Sequence, residues 1–407
     1  MDTSDRERTG RNWSESDLLE AALKAATFSA IDRERLTLLS ADYLHLLLAG
    51  LTAHQGSELS DGLFGEITTF TKASSQSDLD DVHWQLLIHP GSIIFSSLLP
   101  LLLKRSESAD RFSEAVIAGY HGAVLFAKTL HSNNSKKWHA TSTSGIFGAT
   151  LAAASFLDLN SDQKIEALRF ASTAIGGGAN APRSQNGATR FTRIQAALMG
   201  VNSALEASLG APAPLYMIDG AGGLADRFEL VSELSDSDPI ETLHQISLRY
   251  YPYSGFSHNA LETLSHHLPI NKDQIESIEL TLAEPLLSLV GSDEKGRWWS
   301  LAQAIATTLI NGDPFDDRPA SFNFPISVVE SANQSSHAKI MIAGAPLTFD
   351  FGVQSDLGIT SKDRAGIERK WRSLHGSSKD LIDLASEIVS GSPQAAKELQ
   401  KIISQSH

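Results

Sequence analysis

Hydrophobic residues recur every three or four positions across residues 16–209, which is the spacing of amphipathic helices. Ser14 and Asp17 offer a cap for the first of these helices. The segments 148–157 and 194–210 are rich in Ala and Gly, so their helices can approach closely, as in a compact bundle. The pattern predicts a region that is helical almost throughout.

The pattern changes near His267. Residues 274–284 alternate between polar and apolar side chains, which is the periodicity of a strand, and residues 338–352 contain two such runs around a Gly-Ala-Pro turn. The segments 297–311 and 363–374 have helical spacing instead. This mixture predicts a small domain that contains both strands and helices.

We therefore predict a mainly α fold with a smaller α+β domain. The helical domain covers residues 1–266, and the α+β domain covers residues 267–376. The final stretch, 377–407, has an apolar helical face and is predicted to pack back on the helical domain. That face consists of Leu381, Leu384, Ala385 and Ile388.

Composition and charge exclude several classes of protein. The chain has 407 residues, no cysteine, and a net charge of −15 at neutral pH. The lack of cysteine excludes disulfides, thiolate zinc sites, cysteine nucleophiles and cysteine-bound iron–sulfur clusters. Because binding to nucleic acids or to membrane surfaces needs a basic face, the acidic balance argues against both kinds of partner.

The apolar run that begins at Ser92 is too short to span a bilayer, and Pro100 interrupts it. It is typical of a buried helix. The first residues are polar and charged, without the apolar core of a signal peptide. The sequence thus predicts a cytoplasmic protein without a membrane partner.

Several familiar catalytic motifs do not occur in the sequence. There is no G-x-S-x-G elbow, P-loop or H-E-x-x-H, and the glycine pattern that begins at Gly220 lacks a third glycine and a preceding strand. The spacing of His83 from His89, and of His266 from His267, does not place two imidazoles on one helical face. We predict no bound metal.

Four segments combine histidine or arginine with a predicted junction between a loop and a helix, where functional groups tend to lie. The first contains three aspartates and two histidines, and the second contains a histidine and several hydroxyls. The third contains Arg183, Arg190 and Arg193, and the fourth joins Arg249 to His258. In chain order, the four segments are DLDDVHWQLLIHPGS (78–92), KKWHATSTSGIFGATLAAA (136–154), APRSQNGATRFTRIQAALMG (181–200) and LRYYPYSGFSHNALE (248–262).

The order and wording of these segments resemble the MmgE/PrpD family, which includes 2-methylcitrate dehydratase, cis-aconitate decarboxylase and iminodisuccinate epimerase. The resemblance runs over most of the chain and is strongest at residues 80–91, 119–128, 138–149 and 250–262. It implies a large all-helical domain with a smaller α/β lid domain, a homodimer, and catalysis without a metal or organic cofactor. It also implies an active site of histidines, lysines and a tyrosine that acts on a polycarboxylate.

Four of the family's site residues are retained, namely Asp78, His89, His139 and His258. Four others are replaced. The family's threonine after the acidic pair is Val82, one lysine is Thr189, the lysine of the K-x-x-P turn is Arg249, and the tyrosine of the lid helix is Gln303. Arginine keeps its charge where a buried lysine can exchange a proton, so Arg249 is expected to anchor a carboxylate.

Histidine is then the main side chain left to titrate near neutral pH. We predict that His89, His139, His258 and Asp78 are catalytic, and that Arg249, Arg190, Arg193, Gln303 and Thr189 bind the substrate. The expected enzyme is a lyase or isomerase in which one histidine removes a proton next to a carboxylate. This set favours dehydration or isomerisation over decarboxylation.

Other interpretations stay open at this stage. His89 can act as a helix cap, His258 as a core histidine, and the arginines as partners of surface carboxylates. The run Gly176–Gly178 is read first as a helix end. At the level of function, the alternatives are a catalytically degenerate relative that only binds a ligand, and a scaffold repurposed for epimerisation or cyclisation.

Overall fold

A computed structural model describes residues 11–53, 62–77, 79–130, 132–183, 187–236, 238–292, 299–352, 361–375 and 379–406. The chain divides into two compact units. The first unit comprises Met1–Leu248 and Ser377–His407, and the second comprises Arg249–Gly376. The domain boundary drawn from the sequence after residue 266 stays a prediction.

The described residues are mainly helical, with one small sheet. The α-helices are α1 (Glu15–Ala22), α2 (Ala30–Ala53), α3 (Leu63–Ser74), α4 (Gly91–Lys104), α5 (Phe112–Thr129), α6 (Ala140–Phe156), α7 (Ser161–Ala174), α8 (Asn180–Arg183), α9 (Ala188–Ser208), α10 (Leu224–Arg227), α11 (Pro239–His244), α12 (His258–Ser265), α13 (Leu286–Val290), α14 (Leu301–Asn311), α15 (Ser361–His375), α16 (Lys379–Val389) and α17 (Pro393–Gln405). Short 3-10 helices lie at Ser106–Arg111, Ser132–Lys136, Gly255–Ser257 and Lys272–Gln274.

Local sequence fixes the start of α1. The Ser14 hydroxyl accepts the Asp17 backbone N–H, and the Asp17 carboxylate accepts the Ser14 backbone N–H in return. This capping box satisfies donors that the first helical turn leaves without intrahelical partners. The predicted roles of Ser14 and Asp17 are confirmed.

Glycine allows the central helices of the first unit to approach closely. A Cβ atom at Gly200 of α9 would lie 2.4 Å from the Cβ of Ala149 in α6, and one at Gly148 of α6 would lie 2.7 Å from the carbonyl oxygen of Gly119 in α5. Real Cβ atoms do not approach so closely, so these positions require glycine. The close packing predicted for the segments 148–157 and 194–210 is therefore present.

The helix α2 is 24 residues long and is long and apolar enough to cross a membrane by length and composition. The sequence argument considered only the shorter run in α4 and missed this one. Within the protein, 72% of the most apolar window of α2 is buried. A core helix passes the same test, so α2 is weak evidence for a membrane span.

The second unit contains a four-stranded sheet in the order β2-β1-β3-β4. The strands are β1 (Ile275–Leu282), β2 (Ile326–Glu330), β3 (Ser336–Ile342) and β4 (Ala345–Phe351). Strand β1 pairs parallel to β2 and antiparallel to β3, and β3 pairs antiparallel to β4. The sheet is mixed, and the strand and the hairpin expected from the alternation are both present. The fold is mainly helical with a smaller α+β part.

The turn of the predicted hairpin lies earlier than Gly-Ala-Pro. Ile342 pairs with Ala345, so the two turn residues are Ala343 and Gly344, with φ of 48° and 79°. A two-residue turn with positive φ at both positions matches the twist of the strands. Pro346 is thus a residue of β4, an edge strand, where a missing N–H is tolerated.

The C-terminal helices α16 and α17 belong to the first unit, as predicted for the final stretch. Leu384, Ala385 and Ile388 are buried, and Leu381 is half-buried. The helix α16 packs against α2. The apolar face read from the sequence is therefore the face that packs.

Candidate active site

The loop before α4 fixes the position of His89. The backbone of Val82 pairs with Ser247, and His83 pairs with Ile88, so residues 83–88 form a small reverse turn. His89 then donates from Nδ1 to the backbone carbonyl of Asp81 over 2.9 Å. Because Nδ1 carries the proton, Nε2 is the basic nitrogen of the neutral ring.

The carboxyl of Asp81 ties this loop to two helices. It accepts the backbone N–H of Gly91 over 2.8 Å and the hydroxyl of Tyr120 over 2.5 Å. Burial is the main cause that raises the pKa of Asp81 to about 7, with the Tyr120 bond acting against it and the nearby Asp80 carboxylate acting in the same direction. A Cβ at Gly91 would lie 2.5 Å from Oδ2 of Asp81. The glycine of the His-Pro-Gly sequence is thus required by this contact.

The neighbouring Asp80 forms a buried ion pair with Arg193 of α9. Arg193 donates from Nη1 to Oδ2 of Asp80 over 2.7 Å, and each side chain is 3% exposed. The other oxygen of Asp80, Oδ1, lies 3.8 Å from Nδ1 of His89. The ion pair therefore lies directly beside the imidazole.

His139 is the N-cap residue of α6. Its backbone N–H donates to the Gly177 carbonyl over 2.8 Å. Its Nδ1 lies 2.9 Å from the hydroxyl of Thr192 and 3.2 Å from that of Ser142. Those hydroxyls lie within hydrogen-bond distance of the carbonyls of Thr189 and His139, so an Nδ1–H of His139 can donate to Thr192, and in that tautomer Nε2 is the basic nitrogen.

His139 is neutral at physiological pH. Burial lowers its pKa to about 3, and the charges of Arg193 and His89 lower it further against the raising effect of Asp80. The side chain is therefore a hydrogen-bonding group with one basic nitrogen. It does not store a proton at neutral pH.

The glycine run 176–178 passes over the start of α6. Gly177 has a φ of +104°, and a Cβ there would lie 2.1 Å from the hydroxyl oxygen of Ser142. Gly178 pairs with Trp138 in an isolated bridge. The run follows the end of α7, as predicted, and it also holds the backbone of His139 in place.

The structure describes two of the three remaining predicted residues of the first unit. Thr189 is half-buried, and its hydroxyl donates to the Ala181 carbonyl over 3.0 Å. Arg190 is half-buried in the first turn of α9. Asp78 lies outside the described residues.

The second unit contains the other predicted residues. Arg249 is buried and donates from Nη2 to the Tyr253 carbonyl over 3.0 Å. His258, the first residue of α12, donates from Nε2 to the Tyr251 carbonyl over 3.0 Å. The pKa of His258 is lowered to about 3, mainly by burial and secondly by the positive charge of Arg249. Gln303 is half-buried in the first turn of α14, where the Ser300 hydroxyl accepts its backbone N–H.

Lys370 of α15 is a buried cation that the sequence argument missed. It is 1% exposed, and its charge lowers the pKa of His258. The helix contacts the same turn, since a Cβ at Gly366 would lie 3.5 Å from the ring of Tyr250. The segment had been read only as an amphipathic helix, because a single lysine on such a helix is usually exposed.

Two groups of functional side chains result, one in each unit. The histidine cluster of the first unit consists of Asp80, His89, His139 and Arg193. The second unit brings together Arg249, His258 and Lys370. Asp80, Thr192 and Lys370 were not predicted, and only Asp80 had a signal, as part of the Asp-Asp-x-His sequence.

The histidine cluster can carry out proton transfer. It presents two imidazoles with basic Nε2 atoms, next to a carboxylate and a guanidinium that balance each other. In the part of the chain that the structure describes, no group of three or more histidine, aspartate or glutamate side chains is placed to hold a metal ion.

Comparison with known proteins identifies the domain that carries the cluster. Residues 69–235 match the MmgE/PrpD N-terminal domain, and all four cluster residues lie in that range. A comparison with curated proteins gave no match. The resemblance seen in the sequence is confirmed over residues 69–235, which are similar to this family's N-terminal domain.

Proposed function

We propose that the protein is a lyase or isomerase that removes a proton next to a carboxylate of a small substrate. The observation that carries this proposal is the pair His89 and His139, each with a basic Nε2, beside the buried Asp80–Arg193 ion pair. A dehydration, an epimerisation or a cyclisation begins with such a proton transfer. The match of residues 69–235 to the MmgE/PrpD N-terminal domain supports an enzyme of this kind.

In this proposal His89 is the general base. Its side chain is 18% exposed, so a substrate can reach it, and its carboxylate neighbour favours the protonated ring. His139 has a different role because its low pKa keeps it neutral. It accepts a hydrogen bond from the substrate and orients the carbon that loses the proton.

Cations hold the carboxylates of the substrate. In the first unit we assign this role to Arg190, with Thr189 as a polar contact. In the second unit, taken by itself, the residues suited to it are Arg249 and Lys370, with Gln303 as a polar contact. Arginine is suited to it because the guanidinium fork binds a carboxylate through two hydrogen bonds. Arg193 already bonds Asp80, so we propose that it supports the cluster and does not bind the substrate.

A second candidate is a ligand-binding relative without catalytic activity. The side chain of Val82 is 1% exposed and stands where the family has a hydroxyl, and the hydroxyl of Thr189 donates to a backbone carbonyl. Val82 has no hydroxyl to donate, and Thr189 has no amine to titrate. His258 likewise donates to the backbone from the buried turn.

The proposed setting is a homodimer in the cytoplasm, without a nucleic-acid or membrane partner and without a cofactor. The family resemblance supports the dimer and the independence from cofactors. The net charge of −15 supports the exclusion of polyanionic partners.

Calorimetry and product analysis with a panel of small di- and tricarboxylates distinguish the two candidates. We expect one member of the panel to bind and to be converted, with loss of conversion in His89→Gln. Tight binding without any product would favour the ligand-binding relative. Absence of both binding and conversion across the panel would contradict the proposed substrate class.

A further inference from the structure

The two oxygens of the Asp80 carboxylate have different surroundings. Oδ2 accepts the hydrogen bond from Arg193, whereas Oδ1 is buried and has no hydrogen-bond partner among the described residues. Its neighbour is Nδ1 of His89, at 3.8 Å. Buried carboxylate oxygens nearly always have a partner, so this arrangement needs an explanation.

Stability alone does not explain it. A buried ion pair gains little over well-packed apolar side chains, because both charges must leave water. The tautomer of His89 does not need Asp80 either, since the backbone carbonyl of Asp81 already accepts the Nδ1 proton. The contribution that remains for Asp80 is its charge, which favours a protonated imidazole at this distance.

We infer that Asp80 is a positioning residue whose carboxylate, oriented by Arg193, stabilises the protonated form of His89 and so directs the substrate proton to His89 in preference to His139. This inference rests on the proposed role of His89 as the base. It adds a charge partner to a histidine whose Nδ1 bonds a backbone carbonyl.

The other charged groups that face His89 within the first unit agree with this role. The Asp81 carboxyl faces Gly91 and Tyr120, and with a pKa of about 7 it is partly protonated at neutral pH. Burial, followed by the charges of Arg193 and His89, lowers the pKa of His139 and outweighs the raising effect of Asp80. Protonation is therefore disfavoured at His139 and favoured at His89, next to the Asp80 carboxylate.

The titration of the histidine ring protons by NMR tests the inference without a substrate. The His89 signal is assigned from its loss in His89→Gln. In Asp80→Asn, we expect the titration midpoint of His89 to move to lower pH by about one to two units. Asp162→Asn, at an exposed position of α7, makes the same chemical change and should leave the midpoint in place.

A second variant covers the case in which Asp80→Asn does not fold. Asp80→Asn combined with Arg193→Met removes both charges of the pair together. The His89 midpoint should again lie below that of the wild type, but by less than in Asp80→Asn, because the lost carboxylate faces His89 directly while the lost guanidinium bonds its other oxygen. The His139 midpoint should rise because the Arg193 charge is gone. A His89 midpoint that is unchanged in the folded variants would overturn the inference.

Measurements of turnover test the role of Asp80 independently of the NMR titration. With a substrate identified from the panel, Asp80→Asn should lower kcat and move the acidic limb of its pH profile, with little change in KM. If no member of the panel is converted, the proposed function fails, and the NMR midpoints still decide the role of Asp80. An unchanged profile in an active variant would contradict that role.

Discussion

Single contacts around Asp81 determine the geometry of the cluster. One carboxyl accepts bonds from the start of α4 and from Tyr120 of α5, while the carbonyl of the same residue holds the imidazole of His89. Burial raises the pKa of Tyr120 well above its usual value, so its hydroxyl stays protonated and remains a donor. The sequence showed the Asp-Asp-x-His and His-Pro-Gly motifs but could not show that they contact each other.

The raised pKa of Asp81 predicts a particular dependence of stability on pH. The carboxyl ionises near 3.8 in the unfolded chain and near 7 in the folded protein. Between these values the folded state binds more protons, so this group lowers the free energy of unfolding as pH rises. Asp81→Asn does not titrate, and we expect it to become more stable relative to the wild type as pH rises from about 5 to about 8.

Urea unfolding of both proteins at the two pH values measures this difference. Asp162→Asn is the control, since an exposed carboxyl should give the same pH dependence as the wild type. If the stabilities of Asp81→Asn and the wild type change in parallel, the carboxyl of Asp81 is not the buried, protonatable group described above.

Elements with a regular pattern could be predicted from the sequence, and elements set by tertiary contacts could not. The helices, the strand β1 and the β3–β4 hairpin follow their periodicity. The strand β2 was missed because Ile326–Glu330 is short and mostly exposed, so it has no buried face to produce alternation. Thr192 and Lys370 belong to the candidate site only because helices bring them near His139 and His258.

The junction between the loop and α4 predicts a large effect for a small change. In Gly91→Ala, the added methyl group collides with the Asp81 carboxyl and the Tyr120 hydroxyl. We expect a loss of about 1–3 kcal/mol or more in the free energy of unfolding, because overpacking displaces buried groups. Thermal unfolding measures the loss.

Gly187→Ala is the matched control for this change. Gly187 precedes α9, has a negative φ of −63°, and has open space where a Cβ would lie. Its replacement should leave the stability about equal or raise it by less than about 1 kcal/mol. Equal stability of the two variants would show that the space around Gly91 is not closed.

At the scale of the whole molecule, an acidic protein places some of its buried cations beside histidines. The net charge is −15, yet Arg193 in the first unit and Arg249 and Lys370 in the second are nearly inaccessible to solvent. Each group lies beside a histidine with a lowered pKa. This distribution suits an anionic substrate, which the overall charge would otherwise repel.

The central claim is that His89 removes a proton from carbon next to a carboxylate. The most direct test incubates the enzyme with a panel substrate that carries deuterium at that carbon and follows the release of the deuterium to solvent by NMR. The account predicts release by the wild type, and loss of this release in folded His89→Gln and His139→Ala variants. Release at the wild-type rate in folded His89→Gln would contradict it.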